Sequence, residues 1–161
     1  METRRNQTIA PSIRVKDMQE SLDFYTKALG FRTFGRITRQ NGKIAHISVG
    51  FVSPLLMLSP IEYVRTARTK ENFAKNIVGV GVEFYIHMNE SKTVDDFFLE
   101  LKAKGITVIN EPKTEFWGDR IFTVRDPDGY ALTFSEHVKD VTPETRSTSF
   151  DVTHFLMNLN R

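Results

Sequence analysis

Three side chains able to do chemistry alternate along one short stretch: Glu83, Tyr85 and His87, a carboxylate, a phenol and an imidazole. In an extended chain that spacing puts all three on one face, with Val82, Phe84 and Ile86 on the other. The types suit general acid–base work, with Glu83 as the base, or, joined by His46, an unorthodox divalent-metal site. No close ligand spacing links them, so each histidine also has a simpler reading as a structural residue. Glu83 and Tyr85 read equally well as an ordinary hydrogen-bonded pair.

The same parity sorts the other strands. Ile13 and Val15, Ile47, Val49 and Phe51, and Leu132 and Phe134 form apolar faces, and Ser12 and Arg14, His46 and Ser48, Leu55 and Met57, and Thr133 and Ser135 lie opposite them. A mixed lining of this kind suits a ligand with a flat or apolar body and a few hydrogen-bonding groups. Arg14 offers a guanidinium fork fitted to a carboxylate, or is a solvated strand-end residue or a partner for Glu83. Trp117, with Phe116 beside it, is placed either to stack on a planar ligand or to cover a sheet edge. The ligand-binding set is therefore Arg14, His46, Met57, Glu83, Tyr85, Trp117 and Thr133, and no metal ligand or cofactor is assigned.

Composition narrows the classes further. The 161 residues are 40% hydrophobic, enough to bury a core without staples. Cysteine is absent, which excludes disulfides, thiol nucleophiles and Cys-ligated zinc or iron–sulfur sites and suits a reducing compartment. No apolar run approaches the roughly 18 residues of a membrane span, and the first residues lack a signal-peptide core, so a cytoplasmic protein is expected. A net charge of +2 is spread among acids, which argues against a nucleic-acid partner. Phosphate-loop, nucleophile-elbow and H-E-x-x-H motifs are missing, and Gly79-Val80-Gly81 reads as part of a strand rather than a dinucleotide fingerprint.

The elements that must position these residues follow from punctuation. Asp126-Pro127-Asp128-Gly129 is a strong turn signal and joins two strands between Trp117 and His137, the second half-buried by its alternation. Ile9–Lys16 reads as a strand, Asp17 as the cap of a helix carrying Met18, Leu22, Tyr25 and Leu29, and Gly30 as its stop. Strands follow over Phe31–Arg39 and Lys43–Phe51 around an Asn41-Gly42 turn, then over Leu55–Ser59 up to Pro60. The plan then repeats. Val78–Met88 is a strand, Ser91–Lys104 a helix capped by Ser91 or Asn89, Gly105 its stop, and Ile106–Ile109 a strand before the final hairpin. The expected divisions are a polar start at 1–8, a first module at 9–60, a connection at 61–77 with Arg65, Arg68, Lys70 and Lys75, a second module at 78–138, and a tail at 139–161. Within that tail Phe150–Leu159 is expected to form a short helix, packed on its own domain or on a partner subunit.

Two motifs in this order carry a family likeness. IRVKDMQESLDFYTKALGF resembles the first strand and helix of the vicinal oxygen chelate superfamily, which holds glyoxalase I, bleomycin-resistance proteins and extradiol dioxygenases, and RDPDGYALTF resembles its final hairpin. The resemblance covers roughly residues 8–137. It implies an α+β fold of two βαβββ modules, each a curled half-barrel sheet around a cavity, assembled as a homodimer. It also carries the family's four metal-ligand positions onto Ala10, Met57, Gly81 and Thr133, none a usual ligand beyond one hydroxyl, and neighbouring Pro11, Leu56, Val80 and Leu132 do not help. On the same resemblance Gly81 leaves room where the family keeps its metal, and Arg14 coincides with an arginine that binds a glutathione carboxylate in glyoxalase I. The expectation is a metal-free small-molecule binding protein of the bleomycin-resistance type, sequestering an aromatic, amphipathic or antibiotic-like compound. The alternative is a glyoxalase-type lyase or isomerase with a rebuilt metal site at His46, Glu83 and His87, or with Glu83 alone as base.

Overall fold

Period-two strands and capped helices generate the same succession twice. The computed structural model of the protein describes residues 10–63, 71, 74–75, 79, 81–89 and 91–142. In chain order these are β1 (Ser12–Val15), α1 (Met18–Asp23, continued as a π-helical turn over Phe24–Ala28), β2 (Arg32–Thr38), β3 (Ile44–Gly50) and β4 (Leu56–Pro60). Then come β5 (Glu83–His87), α2 (Val94–Ala103), β6 (Val108–Thr114), β7 (Asp119–Arg125) and β8 (Ala131–His137). Each half makes a four-stranded mixed sheet, in the orders β1-β4-β3-β2 and β5-β8-β7-β6. The chain is thus an α+β protein of two βαβββ repeats. The chain divides into two compact units, one taking the described residues up to Val82 plus Asp126–Tyr130, the other Glu83–Arg125 and the described residues from Ala131 onward.

In the first unit β1 runs parallel to β4, pairing Ile13 with Leu58 and Arg14 with Ser59, and β3 is antiparallel to β4 and β2. Ile13, Val15, Ile47, Val49, Leu56 and Leu58 are buried on one side together with Tyr25, Leu29 and Phe31. Asp17 caps α1 by accepting from the backbone N–H groups of Gln19 and Glu20. Met18 and Leu22 are only half-buried, whereas Ser21 is buried where its hydroxyl meets Asp128, and a π-helical turn follows Asp23. Gly30, at φ +76°, ends this helix as its sequence position suggests, and Gly105, at φ +73°, does the same for α2.

The first unit's most polar buried feature is the Asp126–Tyr130 turn. Asp126 accepts from the Tyr25 phenol at 2.9 Å and from the backbone N–H groups of Asp128 and Tyr130 at 3.0 and 2.8 Å. Asp128 accepts from the Lys16 N–H at 2.9 Å and the Ser21 hydroxyl at 3.1 Å. The Tyr130 phenol in turn donates to the Arg14 carbonyl at 3.2 Å. Burial pushes the Asp126 carboxyl up to about 6 despite these donors, raises Asp128, and holds the Tyr25 phenol well above its usual range.

The second unit packs α2 against one face of its sheet. Val94, Phe97, Phe98 and Leu101 meet Phe122, Val124, Leu132 and Phe134, all buried, in a cluster of aromatic rings with centroids 5.0 to 5.9 Å apart. Arg120 grips Asp95 in the first turn of α2 with two hydrogen bonds of 2.5 and 2.7 Å, and holds that carboxyl below its usual range.

Several boundaries differ from the sequence reading. Strand β5 starts at Glu83 rather than Val78, because Gly79 and Gly81 take φ of +71° and +78° and form a turn. Gly81 therefore serves backbone conformation, and a Cβ there would meet nothing within 4 Å. The cap of α2 is Thr93, which accepts from the Asp96 N–H, rather than Ser91 or Asn89. Strand β6 runs on to Thr114. Strand β8 is buried on both faces, Thr133 and Ser135 included, because it lies inside its sheet between β5 and β7. Residues 1–8, Arg65, Arg68, Lys70 and Phe150–Leu159 lie outside the described residues, while Lys75 pairs with Glu71 at 2.6 Å.

A raised Asp126 means that the folded chain binds this proton more tightly than the unfolded chain, so its contribution to stability is full below about pH 4 and lost as pH rises through about 6. Denaturant unfolding at pH 5 and pH 7 should show Asp126→Asn removing about 1 kcal/mol of the wild-type preference for pH 5. An unchanged preference would show that the carboxyl is not held this way.

Candidate functional site

Each sheet has a face turned away from its helix, and the candidate residues divide between the two. In the first unit Arg14, His46 and Met57 share one face. Register sets Arg14 beside Ser59 and both Ser12 and Ser48 beside Met57. Arg14 donates to the Ser12 hydroxyl at 2.9 Å, and the His46 ring nitrogens lie 3.4 Å from the Ser59 hydroxyl and 3.5 Å from that of Ser48. Hydroxyls surround this histidine, and its partners are those of a structural residue.

In the second unit β5 presents Glu83, Tyr85 and His87 in a row. Parallel pairing sets them opposite Ala131, Thr133 and Ser135 of β8, and β7 adds Asp119, Ile121 and Thr123 to the same face. Every polar member has a specific partner. The Thr133 hydroxyl donates to Glu83, and the Thr123 and Thr133 hydroxyls are 2.7 Å apart. Since Thr133 gives its proton to the carboxylate, Thr123 is the donor of the second bond. His87 bonds through Nδ1 to the Ser135 hydroxyl at 3.0 Å, and its ring meets that of Tyr85 edge-on with centroids 5.2 Å apart. The Tyr85 phenol donates to Asp119 at 3.2 Å, so the direct Glu83–Tyr85 pair, one of two readings of the sequence, gives way to two separate bonds.

Burial raises the Tyr85 phenol, and the hydrogen-bonding groups of Trp117 and Ser135 beside it pull the other way. Asp119 spends its second oxygen on His137 Nδ1 at 3.0 Å, while His137 Nε2 meets Asp140 at 3.0 Å. Two carboxylates facing one imidazole raise its affinity for a proton. Asp119, His137, Thr123 and Ser135 were absent from the candidate set or unexplained by it. The alternation of β7 and β8 carried that signal, but it can be used only when their register is known.

Trp117 is half-buried, with its ring edge-on to Phe116 at 4.9 Å. Its place depends on Gly118, which takes φ +100° and whose carbonyl accepts from the N–H groups of both Val138 and Lys139. A Cβ on Gly118 would lie 1.9 Å from the Lys139 carbonyl oxygen, so no other residue fits without moving the loop.

The donor set does not fit a divalent ion. The four positions that the resemblance assigns to the family's ligands carry a methyl group, a thioether, no side chain, and a hydroxyl already donating to Glu83. Among the described residues no three of His, Asp and Glu gather to hold a metal, and Glu83 and His87 are each engaged by a β8 hydroxyl. An ion gripped by Ala10, Met57, Gly81 and Thr133 would have too few donors.

Trp117 is the only tryptophan, so its fluorescence reports this loop alone. Gly118→Ala should lower the unfolding midpoint, by about 1–3 kcal/mol of stability, and shift Trp117 emission to the red. Wild-type emission in the variant would mean that the loop does not need this glycine.

Comparison with known proteins agrees with this architecture. An uncharacterized protein of Mycobacterium bovis is 26% identical over 133 residues, covering 83% of this chain and 85% of its own. The crystal structure of TioX from Micromonospora sp. ML1 superposes with a TM-score of 0.60 at 19% identity, over 84% of this chain and all of that one. A glyoxalase/bleomycin resistance protein/dioxygenase from Alicyclobacillus acidocaldarius does so with a TM-score of 0.58 at 20% identity, over 83% of this chain and 93% of its own. The family model matched by residues 6–134 is that of the Glyoxalase/Bleomycin resistance protein/Dioxygenase superfamily, and with both βαβββ repeats in place the chain belongs to that superfamily.

Proposed function

We propose that this protein binds a small aromatic or amphipathic, antibiotic-like molecule without a divalent metal, and acts by sequestering it. The observation that carries the reading is the β5–β8–β7 face of the second unit. There Tyr85 and His87 offer ring surface, Trp117 beside Tyr85 adds an indole, and Glu83 supplies a fixed hydrogen-bond acceptor, with no trio of metal donors among the described residues. Rings next to a few positioned polar groups make a surface for an organic ligand rather than for an ion. Arg14, His46 and Met57 are proposed as a separate ligand-binding surface on the first unit, and on the second unit Thr133 acts through Glu83.

Affinity would come from apolar area removed from water at about 25 cal/mol per Å², with orientation from the polar groups. A homodimer in the cytoplasm, with neither nucleic acid nor membrane as partner, completes the proposal. Among the described residues no helix is long and apolar enough to cross a membrane.

A thermal-shift panel of aromatic and antibiotic compounds followed by calorimetry tests the reading. It expects at least one saturable ligand, with Trp117→Ala and Tyr85→Ala each weakening it about tenfold while the fold is kept. A panel without a saturable ligand, or binding indifferent to both changes, would remove its support.

A further inference from the structure

Two threonines stand where packing alone would accept valine. Thr123 and Thr133 are 5% and 0% exposed, in a sheet whose neighbouring buried residues are Phe122, Val124, Leu132 and Phe134. Valine has the same branched shape without a hydroxyl, and a buried hydroxyl is costly unless it is bonded. Both hydroxyls are bonded, in series, and the series ends on the carboxylate of Glu83. The arrangement holds one carboxylate oxygen in a fixed place.

The other carboxylate on this face and the Ser135 hydroxyl are already engaged. Asp119 gives one oxygen to the Tyr85 phenol and the other to His137, and the Ser135 hydroxyl is bonded to His87. Glu83 is different. Thr133 takes one of its oxygens, the residue is exposed, and among the described residues no Lys, Arg or His forms an ion pair with it. An ionised carboxylate has about four lone-pair sites, so most of its accepting capacity faces outward. Tyr85, two residues along the strand, sets an aromatic ring on the same side.

We propose that Glu83, anchored by the buried Thr123–Thr133 hydroxyl pair, is the polar anchor of the ligand site and selects aromatic compounds carrying an N–H donor, as an amine or amide, over those carrying a carboxylate. This rests on the binding reading above and gives its ligand a chemical class. A fixed anionic acceptor rewards an ammonium or amide N–H with a charge-assisted bond and repels a second carboxylate. Thr133 is a positioning residue, and it acts only by holding Glu83.

Three indoles of nearly equal size separate the cases: tryptamine, indole-3-acetamide and indole-3-acetate, titrated by NMR into isotope-labelled full-length protein. The expected result is tighter binding of the amine and the amide than of the acid by about tenfold, with shifts at β5 and β8. Glu83→Gln should abolish the preference for tryptamine over indole-3-acetate. Thr133→Val should reduce that preference several-fold, and Thr133→Ser, which keeps the hydroxyl, should restore it. If all three indoles bind alike, or Glu83→Gln leaves the preference intact, the anchor is wrong while aromatic binding stands. If none saturates, aromatic binding on this face falls and the anchor falls with it.

Discussion

Two carboxylates kept out of water at a hairpin tip fix the geometry of the first unit. Asp126 and Asp128 are 4% and 7% exposed, and an unpaired buried carboxylate would cost several kcal/mol, so their neighbours must supply donors. They do. The Tyr25 phenol, the Ser21 hydroxyl and the backbone N–H of Lys16 all come from the end of β1 and the start of α1. Strand, helix entry and turn are thereby locked in one arrangement, and the strand carrying Arg14 takes its position from it. The residual cost remains visible in the raised affinity of Asp126 for a proton.

The second unit shows the same economy on its sheet. One side is a dry layer in which Phe97, Phe98, Phe122 and Phe134 meet edge-on or stacked. The other side holds polar groups that answer one another in short chains, Thr123 to Thr133 to Glu83, and Tyr85 to Asp119 with His137 beyond it. A sheet that needed only a core would not bury hydroxyls in this way. Function on this unit is therefore sought on the polar side, where acceptors and rings are held without a metal's donor geometry.

Much of the fold was legible because its signals are local. The Asp-Pro-Asp-Gly turn, the Asp17 cap and the glycine stops at 30 and 105 act within a few residues, and strand parity correctly separated Ile47 and Val49 from His46 and Ser48. What sequence left open was sheet order. Parity names the faces of β8 but does not place β8 inside its sheet, so the burial of Thr133 and Ser135 was missed. The partners of Glu83 and Tyr85 were missed for the same reason, since Thr133 and Asp119 reach them only through the β5–β8 and β7–β8 registers. The start of β5 differs because the valines around Gly79 and Gly81 read as a strand, while the positive φ values of the two glycines make a turn.

The superfamily's fold is kept here, and the sequence resemblance carries the ligand positions of its metal enzymes onto Ala10, Met57, Gly81 and Thr133. The donor set, on the function proposed above, grips an organic molecule and no divalent ion. Elemental analysis of protein purified without chelators tests it most directly. The account predicts far less than one equivalent of zinc, nickel, iron, manganese or cobalt per chain. One full equivalent, lost on Glu83→Gln, would contradict it.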